Sequence, residues 1–204
     1  MKSTKILILF AHPMFERSVV HQALVQHIPT SVHITFHDLY EEYPDFDVDI
    51  YREQALLMEH DIIIWQHPMY WYSCPPLLKQ WIDLVLEYNW AYGKKGNFLK
   101  DKLIFQVITT GGKQENYCAT GRDRFTIPDL LEPFNQTAKV CQMNYLPPFV
   151  IHGTHDISEE EIDFHCKQYL KLLNYLIVTD IFIDDISPYH YLNDWFNSKT
   201  LING

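Results

Sequence analysis

The stretch Asp61-Ile-Ile-Ile-Trp65, the loop Gln66-His-Pro-Met-Tyr-Trp-Tyr-Ser-Cys-Pro-Pro76 and the segment Leu77–Leu86 follow one another directly in the chain. The first is an apolar run of strand length, and the last has the apolar spacing of an amphipathic helix. Proline is tolerated in the first turn of a helix, so Pro75 and Pro76 mark where that helix begins. A strand, a loop and a helix in this order form the building unit of an α/β protein.

The same alternation extends over most of the chain. Predicted strands are Lys5–Phe10, Val32–Phe36, Asp61–Trp65, Leu103–Ile108 and Phe149–His152; predicted helices run from about Arg17 to His27, Asp49 to Glu59, Leu77 to Leu86, Asp129 to Met143, and from a Ser158/Glu161 capping box to about Ile177. Residues 1–177 therefore form an α/β domain, a doubly wound five-stranded parallel sheet with helices on both faces. The predicted strand order is 2-1-3-4-5, with 3-2-1-4-5 as the alternative.

Residues 178–204 break this pattern, because aspartates interrupt a short apolar run and aromatic side chains then lie among polar ones. A disordered tail would carry fewer aromatic residues. We expect this C-terminal extension to pack on its own body or on a partner subunit.

Composition narrows the class of protein. The 204 residues are 47% hydrophobic, enough for one well-packed domain. The 16 Lys+Arg and 26 Asp+Glu give a formal charge of -10, which repels nucleic-acid phosphate and anionic lipid. The four cysteines and eleven histidines show no disulfide or metal-ligand spacing, so no metal is expected. These features predict a soluble, cytoplasmic protein without nucleic acid as its partner.

The loop after the first strand, Ala11–Val20, ends at Ser18 near the predicted start of a helix. Backbone N–H groups, the helix dipole and a hydroxyl at such a position suit a phosphate, and His12 would add a donor. The alternative is that Ser18 only caps the helix and His12 only satisfies loop backbone.

The loop after the third strand places Tyr70, Trp71 and Tyr72 side by side. Three adjacent aromatic residues on a loop cannot all face inward, so a flat ligand is a natural complement. A protein interface, which also favours Tyr and Trp, is the alternative.

The loop after the fourth strand is Thr109-Thr-Gly-Gly112, whose glycines let backbone approach a ligand closely, although an ordinary turn would explain them too. In the order 2-1-3-4-5 all three loops meet at one crevice. The chain has no G-x-G-x-x-G after its first strand and no P-loop motif, and Cys74 has no clear activating partner. A phosphate niche, an aromatic wall and a glycine edge suit a flavin, which brings its own redox chemistry.

Longer pieces of sequence carry a family resemblance. They are Ala11-His-Pro13 with Ser18, Asp38-Leu-Tyr40, Tyr43-Pro-Asp-Phe46, Trp65-Gln-His-Pro-Met69, Trp71-Tyr-Ser73, Pro76-Leu-Leu-Lys79, Trp81-Ile-Asp83, Trp90-Ala-Tyr-Gly93, Thr109–Gly112 and Leu146-Pro-Pro-Phe149. In one register over roughly residues 4–175, the chain resembles the flavodoxin-like NAD(P)H quinone reductases. Within that family it is most similar to the ancillary proteins of the glutathione-gated Kef potassium-efflux systems.

The resemblance implies a set of flavin-binding residues. His12, Ser18, Val19 and Val20 would hold the flavin phosphate. The segment after the third strand would line the isoalloxazine ring, partly through backbone N–H groups, and the glycine loop would border its pyrimidine edge; these residues are Pro68, Met69, Tyr70, Trp71, Tyr72 and Ser73, and Thr109, Thr110, Gly111 and Gly112.

In the quinone reductases a Tyr and a His beyond the glycine turn assist hydride transfer by offsetting charge on the reduced flavin. Tyr117 matches the tyrosine by spacing and would also contact the cofactor, whereas Asp123 stands where the histidine is expected. An aspartate would oppose that role, so Arg122 or Arg124 would have to supply positive charge. Slow or vestigial turnover is the alternative.

The resemblance implies FMN, with FAD compatible with the same loop chemistry, NAD(P)H as co-substrate and a quinone or similar small electrophile as acceptor. It also implies a homodimer with the site near the interface, and a place at the inner membrane through a protein partner. Two alternatives stay open. One is a regulatory subunit on the cytoplasmic face of a potassium/proton antiporter with little or no enzymatic activity, and the other is a single-electron carrier like flavodoxin.

Overall fold

The computed structural model describes residues 4–202 of the protein, and the side chains of residues 4–199. Its strands are β1 (Ile6–Phe10), β2 (Ile34–Asp38), β3 (Ile62–Pro68), β4 (Leu103–Thr109), β5 (Asn144–Tyr145) and β6 (Phe149–Ile151). Its α-helices are α1 (Val19–Gln26), α2 (Leu39–Glu42), α3 (Ile50–Glu59), α4 (Pro76–Val85), α5 (Ile127–Leu130), α6 (Glu132–Val140), α7 (Glu159–Val178), α8 (Ile183–Ile186) and α9 (Leu192–Ile202).

The strands form one parallel sheet in the order β2-β1-β3-β4-β5, with β6 also paired to β4. This confirms the predicted doubly wound sheet and its leading strand order. Because β1, β3 and β4 are parallel neighbours, the loops that follow them leave the sheet at the same edge.

Helices cover both faces of the sheet and create two cores. Every residue of β1 and β3 is buried, so neighbouring residues such as Ile64 and Trp65 point into opposite cores. The first core lies under α3, α4 and α6 and includes Trp81. The second lies under α1 and α7 and includes Leu24 and Leu173.

A buried carboxylate ties the first core together. Glu53 is fully buried and accepts hydrogen bonds from His37 Nε2 at 2.8 Å, Tyr43 Oη at 2.6 Å and Trp81 Nε1 at 2.7 Å. Burial alone would raise the pKa of Glu53, but these donors outweigh burial and lower it. Tyr43 and Trp81, two of the residues that carry the resemblance, therefore have a structural role here.

Capping explains several helix starts. Ser158 and Glu161 form the predicted capping box at the start of α7, and the Asp49 side chain accepts from Arg52 N–H at the start of α3. The single helix predicted from Asp129 to Met143 is instead split into α5 and α6. Thr126 caps α5 in a second capping box, and the proline in the first turn of α6 lacks the N–H that would continue the earlier helix.

The predicted fifth strand, Phe149–His152, is found as β6, and a short strand that was not predicted, β5, pairs with the same neighbour, β4. Pro147 and Pro148 lie between β5 and β6. Because neither proline has an N–H to donate, the pairing with β4 is interrupted there. The second strand begins at Ile34 rather than Val32, because Ile34 N–H bonds to Ser31 O in a turn that leaves Val32 90% exposed.

The segment after α7 contributes side chains to both cores. Tyr191 belongs to the first core, whereas Leu192, Trp195 and Phe196 belong to the second. Among the helices that the structure describes, none is both long enough and apolar enough to cross a membrane.

Candidate functional site

A cleft of about 410 Å³ lies at the carboxyl ends of β1, β3 and β4. Clefts that bind small molecules commonly enclose about 300–1,000 Å³. Its lining residues come from all three predicted loops and from one further loop, between β6 and α7; they are His12, Met14, Arg17, Ser18, Val19, Val20, Pro68, Met69, Tyr70, Thr109, Gly111, Thr154 and His155. The geometry thus brings the three unusual stretches of sequence to one place.

At one end of the cleft, the loop after β1 delivers the start of α1. Ser18 caps this helix, and its Oγ accepts a hydrogen bond from His21 N–H at 3.3 Å. Among the described residues, the N–H groups of Val19 and Val20 have no hydrogen-bond partner. With the helix dipole and the nearby Arg17 they form a site suited to an anion.

His12 stands beside this helix start as a neutral donor. Its Nδ1 accepts a hydrogen bond from Met14 N–H at 3.2 Å, so the proton of the neutral ring is on Nε2. Burial lowers the pKa of His12, although Glu16 opposes the shift. The Nε2–H group is therefore available for a ligand in the cleft.

A second histidine, His21, packs against His12 in the core next to this end of the cleft. It is fully buried, lies edge-on to His12 with ring centroids 5.1 Å apart, and its Nε2 is 3.1 Å from Thr109 Oγ1. Burial, reinforced by His12 and His67, lowers the pKa of His21 well below its ordinary value. His21 links α1 to the end of β4, and nothing in its local sequence indicates this role.

The aromatic loop after β3 is a tight, strained turn. Tyr70 N–H bonds to Ser73 O at 3.1 Å, Ser73 N–H bonds to Tyr70 O at 3.0 Å, and Trp71 and Tyr72 between them have φ of 49° and 63°. Bulky residues rarely adopt positive φ, and such strain concentrates at ligand sites. Within the described part of the chain the N–H groups of Trp71 and Tyr72 have no partner, and the Trp71 side chain is 93% exposed.

The glycine loop after β4 is paired with the loop after β6. Thr110 N–H bonds to Ile151 O, Thr154 N–H to Thr110 O, and Gly153 N–H to Gly112 O, at 2.9, 3.0 and 2.9 Å. The N–H groups of Gly111 and Gly112 have no partner among the residues described.

His155 lies directly over Gly111. A Cβ atom at Gly111 would stand 2.3 Å from His155 Nε2, so the imidazole occupies space that only a glycine leaves open. The backbone bonds of the preceding Gly153 and Thr154 hold this loop in place. His155 thereby adds a ring nitrogen to the glycine end of the cleft.

Tyr117 lies behind the glycine edge. A Cβ atom at Gly112 would be 2.9 Å from Tyr117 Oη, and the ring centroids of Tyr117 and His152 are 5.8 Å apart. Burial raises the pKa of the Tyr117 hydroxyl, so the group is protonated and can donate. Tyr117 is close to the cleft but does not line it.

Asp123 is held by its neighbour rather than left as a free charge. Arg122 binds it in a bidentate ion pair, with Nε–Oδ1 and Nη2–Oδ2 distances of 2.9 and 3.0 Å, and Tyr72 Oη donates to Oδ1 at 3.4 Å. Arg122 lowers the pKa of Asp123. The negative charge expected at this position is therefore matched by a positive one.

The structure places the predicted residues in two groups. The lining of the cleft includes His12, Ser18, Val19, Val20, Pro68, Met69, Tyr70, Thr109 and Gly111, while Trp71, Tyr72, Ser73, Thr110, Gly112 and Tyr117 stand in the same loops outside the lining. Sequence reasoning missed Met14, Arg17, Thr154 and His155. Cys74 is buried, and burial raises its pKa to about 11, which keeps the thiol protonated.

Comparisons with known proteins agree with this architecture. Residues 4–173 match the family described as having a flavodoxin-like fold. The chain is also similar to the glutathione-regulated potassium-efflux system ancillary protein KefG of Erwinia tasmaniensis. The two are 42% identical over 165 residues, which cover 81% of this chain and 90% of that protein.

Two solved structures show the same fold. General stress protein 14 from Treponema denticola, in complex with FMN, is 40% identical with a TM-score of 0.80, covering 84% of this chain and 99% of that chain. An NADPH-quinone reductase from P. pentosaceus is 30% identical with a TM-score of 0.76, covering 87% and 99%.

Proposed function

This chain belongs to the flavodoxin-like fold family, in the group of quinone reductases and KefG-type ancillary proteins, and on that premise we propose that it is an FMN-dependent NAD(P)H oxidoreductase acting on quinone-type acceptors. One observation carries the proposal. Backbone N–H groups without partners in the described structure occur in all three loops at one end of the sheet, at Val19 and Val20, at Trp71 and Tyr72, and at Gly111 and Gly112.

These donors fit the parts of FMN. The phosphate would be held by the N–H groups at the start of α1, by His12 Nε2–H and by the charge of Arg17. The strained turn after β3 would present backbone N–H groups to the isoalloxazine ring, and the glycine N–H groups would face its pyrimidine edge. FMN bound in the similar general stress protein 14 supports this choice over FAD.

Bound FMN would supply two-electron redox chemistry between the two substrates. Overall, NAD(P)H would lose a hydride, and a quinone would gain that hydride and a solvent proton to become the hydroquinone. The residues of this chain would position the cofactor and polarise it. Tyr117 would donate a hydrogen bond at the glycine edge. The Arg122–Asp123 pair would leave little net charge at the rim of the cleft.

The role of Tyr117 is tested by Tyr117→Phe, which removes the hydroxyl and keeps the ring packed on His152. We expect the rate of flavin reduction by NAD(P)H, measured by stopped-flow absorbance, to fall about tenfold or more. FMN affinity and the unfolding midpoint should change little. An unchanged rate would remove Tyr117 from the mechanism.

An ancillary role is the second candidate. The similarity to KefG supports a regulatory subunit that binds the cytoplasmic face of a potassium/proton antiporter, and so reaches the inner membrane through its partner. The formal charge of -10 suits the Lys/Arg-rich cytoplasmic segments of membrane proteins. Both roles are compatible in one protein.

A homodimer is part of the same proposal. Trp71 and Tyr72 beside the cleft, together with Tyr88 and Phe98, expose 46–93% of their area. Exposed aromatic residues of this kind favour an interface, and one next to the cleft would help to cover a bound cofactor. Analytical ultracentrifugation of the purified chain should therefore give a dimer mass.

The decisive experiment is purification followed by a visible spectrum and mass identification of the released cofactor. We expect a yellow protein that releases FMN, and NAD(P)H consumption that depends on an added quinone. Co-purification with and without an antiporter partner then separates the enzymatic from the ancillary role. A colourless protein that binds neither added FMN nor FAD would contradict the proposed function.

A further inference from the structure

The residues after α7 lie outside the region that matches the family, which ends at residue 173. They are nevertheless folded onto the domain, where Tyr191, Leu192, Trp195 and Phe196 are buried. Neither the sequence motifs nor the proposed function accounts for them.

This segment completes the open edge of the sheet. Val150 in β6 donates its N–H to Asn193 Oδ1 at 2.8 Å and accepts from Asn193 Nδ2 at 3.1 Å through its carbonyl. Leu192 N–H bonds to Pro148 O at 2.9 Å. One carboxamide therefore satisfies both outward-facing groups of an edge-strand residue, as a further strand would.

The same segment contributes side chains to the cores on both faces of the sheet. Tyr191 lies in the core under α4 and α6, whereas the next residue, Leu192, lies in the core under α1 and α7. Gln168 of α7 adds hydrogen bonds to Asn193 O at 3.3 Å and Asn197 Oδ1 at 2.6 Å. We call residues 191–197 the edge clip.

The edge clip reaches the glycine loop through His152. The rings of Tyr191 and His152 meet edge to face with centroids 5.7 Å apart. His152 Nδ1 is 3.1 Å from Thr110 Oγ1, and the Thr110 hydroxyl donates its single proton to Gly112 O at 2.8 Å. His152 must therefore be the donor to Thr110, through an N–H on Nδ1.

We propose that the edge clip is a positioning element of the cleft, in which Tyr191 holds His152 against Thr110 and Tyr117 and thereby fixes the glycine edge for its ligand. The proposal rests on the proposed function, because FMN is the ligand expected at that edge. Tyr191 acts through His152 and does not itself reach the cleft.

Removal of the Tyr191 ring would open one wall around His152. The imidazole could then rotate towards water, Thr110 would lose its donor, and Tyr117 would lose the surface on which it packs. The titratable groups near His152 are His165 of α7, Tyr117 and Tyr191, and Lys113, Asp156 and Glu161 around an adjacent small cavity; His165 acts on it by charge repulsion.

The test compares three variants of the full chain, Tyr191→Ala, Tyr191→Phe and Leu57→Ala, by FMN fluorescence titration and by NMR titration of the His152 imidazole. We expect Tyr191→Ala to weaken FMN binding about tenfold. It should also raise the pKa of His152 from about 4 towards its ordinary value of 6.5. Tyr191→Phe, which keeps the ring, should resemble the wild type.

Leu57→Ala is the matched control, since it removes a buried side chain of α3 from the same core as Tyr191 and leaves intact the core that holds Leu192, Trp195 and Phe196. It should lower the unfolding midpoint without moving the FMN affinity or the pKa of His152. If Tyr191→Ala does not fold, Tyr191→Leu fills more of the space and carries the same expectation.

Two results would overturn the proposal: a Tyr191 variant with wild-type FMN affinity and wild-type His152 titration, or a control that shifts both as strongly. Failure of the proposed function is recognised separately. A wild-type protein that does not bind FMN refutes that function, while the His152 titration of flavin-free protein still decides whether Tyr191 positions the imidazole.

Discussion

At the α1 end of the cleft the ligand would meet backbone N–H groups fixed by a helix cap, whereas at the glycine end it would meet groups fixed by side chains from distant segments. Helix geometry alone leaves the N–H groups of Val19 and Val20 without partners in the described part of the chain. Gly111 and Gly112 are held between His155, Tyr117 and, through His152, the edge clip. The α1 end therefore depends on local helix geometry, whereas the glycine end depends on tertiary packing.

The largest effect is expected from replacing His21, which packs in the core next to the α1 end of the cleft. His21→Ala should lower the free energy of unfolding by about 2–4 kcal/mol, because it leaves a cavity and an unpaired Thr109 hydroxyl. Chemical denaturation of His21→Ala, Thr109→Val and the double variant should show coupling between the two residues. Additive losses would mean that the His21–Thr109 contact contributes nothing of its own.

The glycine end should respond to acid. Burial lowers the pKa of His152 to about 4, against 6.5 in the unfolded chain, so below pH 6.5 the unfolded state binds a proton that the native state does not. The contribution of His152 to the free energy of unfolding is therefore complete above pH 6.5. It falls by about 3 kcal/mol as the pH drops to about 4.

This pH dependence is measured as urea unfolding between pH 7 and 4 for the wild type and for His152→Gln. The variant should lose less stability over that range, since its side chain does not titrate. His12 and His21, whose pKa values burial also lowers, contribute equally to both proteins. Identical pH profiles would show that His152 has no part in the acid sensitivity.

Two substitutions of Ser18 can separate its role as a helix cap from its proposed role in phosphate binding at the α1 end. Asp is as good a helix cap as Ser, so Ser18→Asp should change stability by only a few tenths of a kcal/mol, roughly. Its negative charge should weaken FMN binding about tenfold to a hundredfold. Ser18→Ala should do the reverse, with about 1 kcal/mol less stability and a smaller loss of affinity. Calorimetric FMN titration distinguishes the two, and equal affinities for both variants would place the phosphate elsewhere.

The contrast between the two ends also explains what the sequence could predict. The strands and the start of α4 follow from apolar runs, prolines and caps, which act locally. The strand order, and with it the convergence of the three loops, follows from the topology rules of parallel sheets. His155 and Tyr191 were beyond reach, because their positions depend on the pairing of β6 with β4 and on the chain crossing the sheet edge. His21 looks like any helical residue, and only packing shows that it bonds to Thr109.

The smallest expected effect concerns charge at the glycine end. Asp123→Asn would break the bidentate pair and release the positive charge of Arg122 near the rim, while Tyr72 Oη could still donate to the new amide oxygen. The Arg122 side chain is 66% exposed, and Asp123, only 7% exposed, would keep its hydrogen bond from Tyr72 as an amide, so we expect only a small change in the unfolding midpoint. The KM for the anionic NAD(P)H should fall about two- to threefold at low salt, and the difference should disappear at high salt. Asp83→Asn, which breaks the exposed Lys79–Asp83 pair on α4, makes the same change of net charge in a different place. If both variants lower KM equally, the effect is one of net charge, and the Arg122–Asp123 pair does not tune the glycine end.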